Sequence, residues 1–314
     1  MVAVTVLGCL TPARAQVIIT PTFDSSITGS PNSAALQAAI NNAIAIYHSL
    51  YTDNINISIL FRYATTGPNG SPLGSGLLAQ SNYTIYSPTY DDYISALNSD
   101  TPRSGYRTIA LAHLPPASAF PNNPSQMEVS SANGRSVGMG TPGAMSANGN
   151  VGTGGTFDGI VTINSGKNFT FTRPVGNTGK FDVMQSIEHE IDEVMGFGSI
   201  LPGTTDFSGS PAIRPQDLYR YSGPGAISLS SSGSSSSYFS IDGGNTNLVN
   251  FNQNGTGDYG DWGASAIPLV QLAFSNPNTQ SDVSATSPEG IGLDVIGYNL
   301  NPSAVPEPGS LTMV

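Results

Sequence analysis

The sequence predicts an α/β (α+β) fold built on a mixed, twisted sheet, and three observations predict it. A β-branched apolar run at residues 17–23 precedes a segment whose apolar residues recur at helical spacing. A second run, 55–64, alternates apolar and polar residues as a half-buried strand does. A third, 157–164, stands directly before an amphipathic helix at 181–196. Strand, helix and strand, followed later by strand and helix, is the layout of a sheet with helices packed on it.

Each element has its own warrant. "VIITPTF" at 17–23 is the first strand. In the helix that follows, Asn32 or Ser33 can cap, and Leu36, Ile40, Ala43, Ile44 and Tyr47 form one stripe. His48, near its end, reads as a partly solvated surface residue and not a ligand. Ile55, Ile57, Ile59 and Phe61 define one face of the next strand. "NYTIYSPTYDDYISALNSD" gives a short strand, a turn and a short helix, and two further short elements follow at 107–115 and 125–139. His113, before Leu-Pro-Pro, reads as structural. Residues 140–156 are Gly-rich and carry no regular pattern. Beyond the motif helix, 201–215 is loop, and "ISLSSSGSSSS" at 227–237 reads as a flexible hairpin tip or insertion. "YFSIDGG" and "NLVNFNQ" are two short strands about an Asp-Gly-Gly turn, "GTGDYGDWG" is a Gly/Asp loop, and Ile291, Val295 and Tyr298 mark a closing helix. No internal repeat is visible.

The chain has 314 residues, 10% of them charged, with 36 Gly, 23 Pro and a net charge of −11. An acidic chain without a basic run is unsuited to nucleic acid, whose phosphates need basic patches. No stretch outside the N-terminus approaches the roughly 18 apolar residues of a membrane span. At the start, an apolar stretch from Val2 to Leu10 leads to Ala13-Arg14-Ala15, an A-x-A cleavage signature before Gln16. Residues 1–15 therefore read as an export signal, although no positive n-region precedes them, which points to a true start further upstream. Val6-Leu7-Gly8-Cys9 also resembles a lipoprotein box, but the A-x-A site is better placed. Cys9 is the only cysteine, so the mature chain would have none, as fits an exported bacterial protein. Residues 301–314 end in "VPEPGS" and a few more letters, which resembles the start of the PEP-CTERM sorting signal of Gram-negative bacteria. The apolar span and arginine cluster of that signal do not follow, so the tail is expected to be a truncated anchor.

"SIEHEIDEVMGFGS" carries the chemistry. At 100° per residue Val183, Ile187, Ile191 and Val194 face the core, and His189 and Glu193 share the opposite side one turn apart. Such an i, i+4 pair brings two donors to one ion. Glu190 lies beside them, and Gly196 lets the helix stop. The competing reading is a solvated acidic face made of Glu188, Glu190, Asp192 and Glu193. In a chain so poor in charge that concentration needs a counter-charge, and no Lys or Arg occurs between Lys180 and Arg214. A cation would serve.

The helix resembles the active-site helix of zincin metalloproteases, whose pattern is H-E-x-x-H-x-x-G. His189, Glu190 and Gly196 match, and Glu193 replaces the second histidine. "HEIDEVMGFGS", "DLYRYSGPG", "YFSIDGG", "GDYGDW" and "LDVIGY" in series resemble a family of exported bacterial zincin-like proteins with PEP-CTERM-type tails, in which the H-E-x-x-E form recurs. The resemblance covers the mature chain. It implies a zincin-like domain over 16–300: an N-terminal subdomain, 16–198, with sheet, backing helix and active-site helix, and a loop-rich C-terminal subdomain, 199–300. It implies zinc as cofactor, with manganese able to compete. No histidine follows His189, so the third ligand must be an oxygen donor. By analogy with leishmanolysin-like enzymes Asp261 is expected, with Trp262 beside it as an apolar wall; Asp258, Asp217 and Asp192 are the alternatives. The segment before the last helix has no methionine, which departs from the zincin Met-turn.

Three ligands would leave a position for water, whose pKa falls to about 7, and Glu190 would take its proton. Two anionic ligands make that water less acidic, so activity should shift alkaline. The expected function is an exported peptidase acting on peptides or proteins. The alternative is a non-catalytic exported protein that binds Ca²⁺ through its "DGGN" and "DYGDW" loops. Serine and cysteine hydrolases are excluded, because no G-x-S-x-G elbow and no mature cysteine exist.

Overall fold

The computed structural model describes residues 16–304. The export signal expected at 1–15 and residues 305–314 of the tail lie outside the described residues. Strand β1 (Ile18–Phe23) leads through a single turn, α1 (Ser25–Thr28), into the long α2 (Ser33–Leu50), and β2 (Asn56–Ala64) returns parallel to β1. Then come β3 (Ala79–Tyr83), β4 (Ile85–Tyr86), α3 (Tyr90–Ser99), α4 (Gly105–Ala112), β5 (Gln126–Met127), β6 (Val129–Ser130), α5 (Ser131–Ser136) and β7 (Gly159–Asn164). The short strands β8 (Phe169–Thr170) and β9 (Phe181–Asp182) precede α6 (Val183–Val194). The rest of the chain holds β10 (Ala212–Ile213), β11 (Arg220–Gly223), β12 (Ala226–Ile227), β13 (Tyr238–Phe239), β14 (Val249–Asn250) and the closing α7 (Pro288–Val295).

The main sheet has the order β1-β2-β7-β3. Its first three strands are parallel and β3 is antiparallel to β7, so the sheet is mixed and the chain is α/β. The expectation that only one face of β2 is apolar holds too narrowly. Ile57, Ile59 and Phe61 are buried, but so is Leu60 on the other side. The central strands are covered on both faces, which is why β7 is buried at every residue. Helices α2 and α6 lie against each other and against one face. On the other, Leu60 and Ile160 pack on Met145 from the Gly-rich segment.

The stripe predicted on α2 is buried throughout, from Leu36 to Tyr47. His48 is half-buried, and its Nε2 accepts the N–H of Ile19 at 2.9 Å, anchoring the outer strand β1 to the helix. His113 bonds through Nδ1 to the Ile109 carbonyl at 2.9 Å, a structural contact. The segment 227–237 is not a hairpin tip. Strands β12 and β13 flank β11 on opposite edges, in the order β12-β11-β13-β14, so the segment crosses over between them. The hairpin turn lies earlier, at Pro224-Gly225, where Gly225 has φ +68°. One apolar cluster joins residues from both sides of position 198, Ile187 and Trp262 alike.

Tyr47 links α2 to α6 in that core, its hydroxyl donating to Asp192 Oδ1 at 2.7 Å. Asp192 is fully buried and its Oδ2 has no hydrogen-bond partner among the described residues. Tyr47→Phe should therefore cost about 1–3 kcal/mol, because it leaves a second buried oxygen unmatched. Urea unfolding checks this, and an unshifted midpoint removes the bond from the stability account.

Candidate metal centre

The centre is built on α6. Asp182 caps its start, accepting the Met184 N–H at 3.1 Å, and Arg173 holds the same carboxylate through Nε at 2.8 Å. Val183, Ile187, Ile191 and Val194 are at most 1% exposed, as their spacing predicts. Gly159 of β7 lets the helix sit close, since a Cβ there would lie 2.6 Å from Val194 Cγ2. Gly196 takes φ +109° and ends the helix.

The acidic helix is not a solvated face. Glu188, Glu190 and Asp192 are at most 6% exposed. Their counter-groups lie outside the helix, Arg173 just before the stretch without Lys or Arg and Tyr47 and Val283 much further away along the chain. Arg173 Nη2 lies 3.8 Å from Glu188 Oε1, the Val283 N–H donates to Glu188 Oε2, and Tyr47 serves Asp192. Glu190 and Glu193, in contrast, line a cleft of about 750 Å³ together with His189, Ser186, Asp258 and Asp261.

In that cleft His189 Nε2 is 3.7 Å from Glu193 Oε1 and 3.6 Å from Asp261 Oδ1. One donor atom from each of the three residues falls within 4.8 Å of the others. Asp258 lines the same cleft. Asp217 does not join them: its Oδ1 accepts the Ser199 hydroxyl at 2.6 Å and its Oδ2 the Ile200 and Arg214 amides. Asp192 points to Tyr47, on the core side of the helix.

Asp261 reaches His189 because its loop lies backbone to backbone on the turn after α6. A Cβ on Gly260 would stand 2.6 Å from the Gly198 Cα. Gln216 fastens the contact, accepting the Gly198 N–H at 2.7 Å and donating to the Gly260 carbonyl at 2.9 Å. Trp262 differs from its expected role. It is fully buried against Phe197, Phe239 and Phe251 and donates to Glu289 Oε1 at 3.0 Å. It anchors the loop from below instead of walling the cleft, because so large an apolar ring gains more from the core than from a wet rim.

Each of the three donors has an orienting partner. His189 Nδ1 lies 3.1 Å from the Val270 carbonyl, so that nitrogen carries the proton and Nε2 faces the cluster. Ser81, on β3, donates to Glu193 Oε2. Gln271 Nε2 donates to Asp261 Oδ1 at 3.2 Å. Sequence reasoning missed Ser81, Gln216 and Gln271. Nothing local marks them, since a lone serine on a strand or a glutamine in a loop has no characteristic spacing.

Charge is unbalanced here. Burial lowers the affinity of His189 for its proton, but the Asp261, Glu190 and Glu193 carboxylates outweigh it and push the pKa up to about 10. Burial pushes Asp261 up to about 8, against the pull of His189 and with the help of Glu193 and Asp258. Glu190 rises well above the carboxylate range through burial and the neighbouring Glu193, and Glu193 rises through burial. Both kinds of shift have the same consequence for the metal-free protein. The raised His189 contributes stability that is full below its ordinary 6.5 and is lost as pH rises through about 10. The raised Asp261 keeps a proton that the unfolded chain releases at 3.8, so stability also falls between there and about 8. The metal-free melting temperature should thus fall as pH rises from about 4 to about 10. A bound divalent cation should flatten that slope. A rising metal-free profile over this range would contradict the charge account.

The donor set fits a small divalent ion. Two ligands each about 2.1 Å from a tetrahedral ion stand about 3.4 Å apart. The two separations to His189 Nε2, 3.6 and 3.7 Å, are close to that value. No family model, curated protein or solved structure matches this chain.

Proposed function

We propose that this chain is a zincin-like metallopeptidase, exported by a Gram-negative bacterium, with His189, Glu193 and Asp261 as metal ligands and Glu190 as general base. The observation that carries the reading is the convergence of one donor atom each from His189, Glu193 and Asp261 within 4.8 Å inside a cleft. Zinc or manganese held there would supply the Lewis acidity that makes a water molecule a nucleophile at moderate pH. Glu190 lies in the same cleft and interacts with both His189 and Glu193. Its carboxylate takes the proton of the attacking water and delivers it to the leaving amine. Peptide is the favoured substrate because the cleft runs along β3, an outer strand of the main sheet. The free side of such a strand offers N–H and C=O groups at the spacing of an extended chain. Leu77, Leu78, Phe181, Leu272 and Phe274 also line the cleft and give apolar side chains a place to rest.

The calcium reading has less support. The Asp242 carboxylate of the "DGGN" turn already accepts from the Ser240 hydroxyl and from the Thr246 amide and hydroxyl, so its oxygens are engaged within the turn. No helix among the described residues is long and apolar enough to cross a membrane.

Metal analysis of the purified protein tests the proposal. About one tightly held zinc or manganese per chain is expected, since such sites use three protein ligands. Glu193→Ala should lose it on dialysis. Only weak calcium uptake, unaffected by that substitution, would leave the peptidase reading without its cofactor.

A further inference from the structure

We infer that Ser81 is a positioning residue that limits Glu193 to one oxygen and thereby sets which metal the centre accepts. The inference rests on the metallopeptidase reading and concerns a residue with no place in the helix motif. Glu193 has two carboxylate oxygens with different surroundings. Oε1 faces His189 Nε2 at 3.7 Å, and Oε2 accepts the hydroxyl of Ser81. The serine belongs to β3, where it pairs with Val161 of β7, so the ladder fixes its place along the cleft. It reaches across to α6 from 112 residues upstream. Both side chains are only partly exposed, and the hydroxyl has no other hydrogen bond among the described residues.

A carboxylate with one oxygen engaged by a charge-assisted hydrogen bond offers the other to a cation. Glu193 then presents a single oxygen beside the His189 nitrogen, a compact arrangement suited to zinc. Larger, harder ions such as calcium need six to eight oxygens and take carboxylates bidentately. Releasing Oε2 would give the centre a fourth donor atom and a freer glutamate. Zinc would lose the preset geometry, and calcium or manganese would gain an oxygen. The role of Ser81 is thus one of selection as well as orientation. It also joins the strand that borders the cleft to a ligand of the metal.

The experiment measures dissociation constants of zinc, manganese and calcium for the full chain and for Ser81→Ala, Ser81→Thr and Ser81→Val, using a competing chromophoric chelator. Ser81→Ala should weaken zinc about 10- to 100-fold, the range found when an outer-shell partner is removed. Its manganese and calcium affinities should fall less or rise, so that the ratio favouring zinc narrows. Ser81→Thr keeps the hydroxyl and should restore both affinity and ratio. Ser81→Val, with the shape of threonine and no hydroxyl, should weaken zinc as alanine does and provides the reading if the alanine variant does not fold. Wild-type affinity and unchanged metal ratios in the alanine or valine variant overturn the inference while leaving the centre intact. Failure of the unmodified protein to hold zinc or manganese overturns the metallopeptidase reading itself, and with it this role for Ser81.

Discussion

Glu190→Gln is expected to abolish most peptide hydrolysis, by about 10²- to 10⁴-fold in kcat, while leaving metal content unchanged. The amide has nearly the shape of the acid, so packing in the cleft survives. What is lost is the ability to take a proton from water and return it to the departing amine. Glu190 stands outside the trio whose donors converge within 4.8 Å, which is why the substitution should separate turnover from metal retention. Burial and the nearby Glu193 hold its proton affinity well above that of a free carboxylate. A base so tuned is stronger than an exposed glutamate, and a cation bound among its neighbours would moderate it. Single-turnover assays on metal-replete protein give the comparison. Undiminished hydrolysis in the glutamine variant would transfer the role of base to another residue, and Asp258 of the same cleft is the one to test.

Gly260→Ala is expected to damage the centre without touching any ligand. Its Cβ would stand 2.6 Å from the Gly198 Cα and 2.7 Å from the Ser199 nitrogen. Both neighbours are backbone, and no flexible side chain can move aside. The loop must therefore rise, carrying Asp261 away from His189, or the turn after α6 must shift and strain the Gln216 clamp. Overpacking of this kind costs about 1–3 kcal/mol in a well-packed site. The loss should divide between a lower melting temperature and at least tenfold weaker zinc binding, because donor geometry degrades before the fold does. Gly255→Ala is the control on the same loop: its Cβ meets the Tyr259 hydroxyl at 3.1 Å, the far end of a side chain that can give way. Equal metal affinity in Gly260→Ala and the parent would show that Asp261 does not need this backbone contact to reach the ion.

Much of the architecture was legible because it is local. The helical stripe of α2, the all-apolar run of β7 and the opposed faces of α6 follow from side-chain periodicity, which operates over a few residues. The pairing of His189 with Glu193 has the same origin, since neighbours at i and i+4 share a helix face whatever the fold. The hairpin alternative for 227–237 failed because chain pattern does not disclose which strand occupies the centre of a sheet. A cation was expected to balance all four acids of α6, whereas Arg173, just outside the window that holds no Lys or Arg, and Tyr47, from α2, serve Glu188 and Asp192.

By itself, then, the sequence determined the helix, the side of it that bears His189, Glu190 and Glu193, and the lack of any histidine after His189. Only the tertiary structure decided which acid stands beside His189 and how it is held there. Asp261, Asp217 and Asp192 are alike in composition. They differ in place: Asp217 faces Ser199 and Arg214 and Asp192 faces Tyr47, while Asp261 is brought to His189 by two glycines in contact. That contact joins residues 198 and 260, and Ser81 joins residues 81 and 193. Interactions over such separations arise from chain packing, and no short-range pattern encodes them.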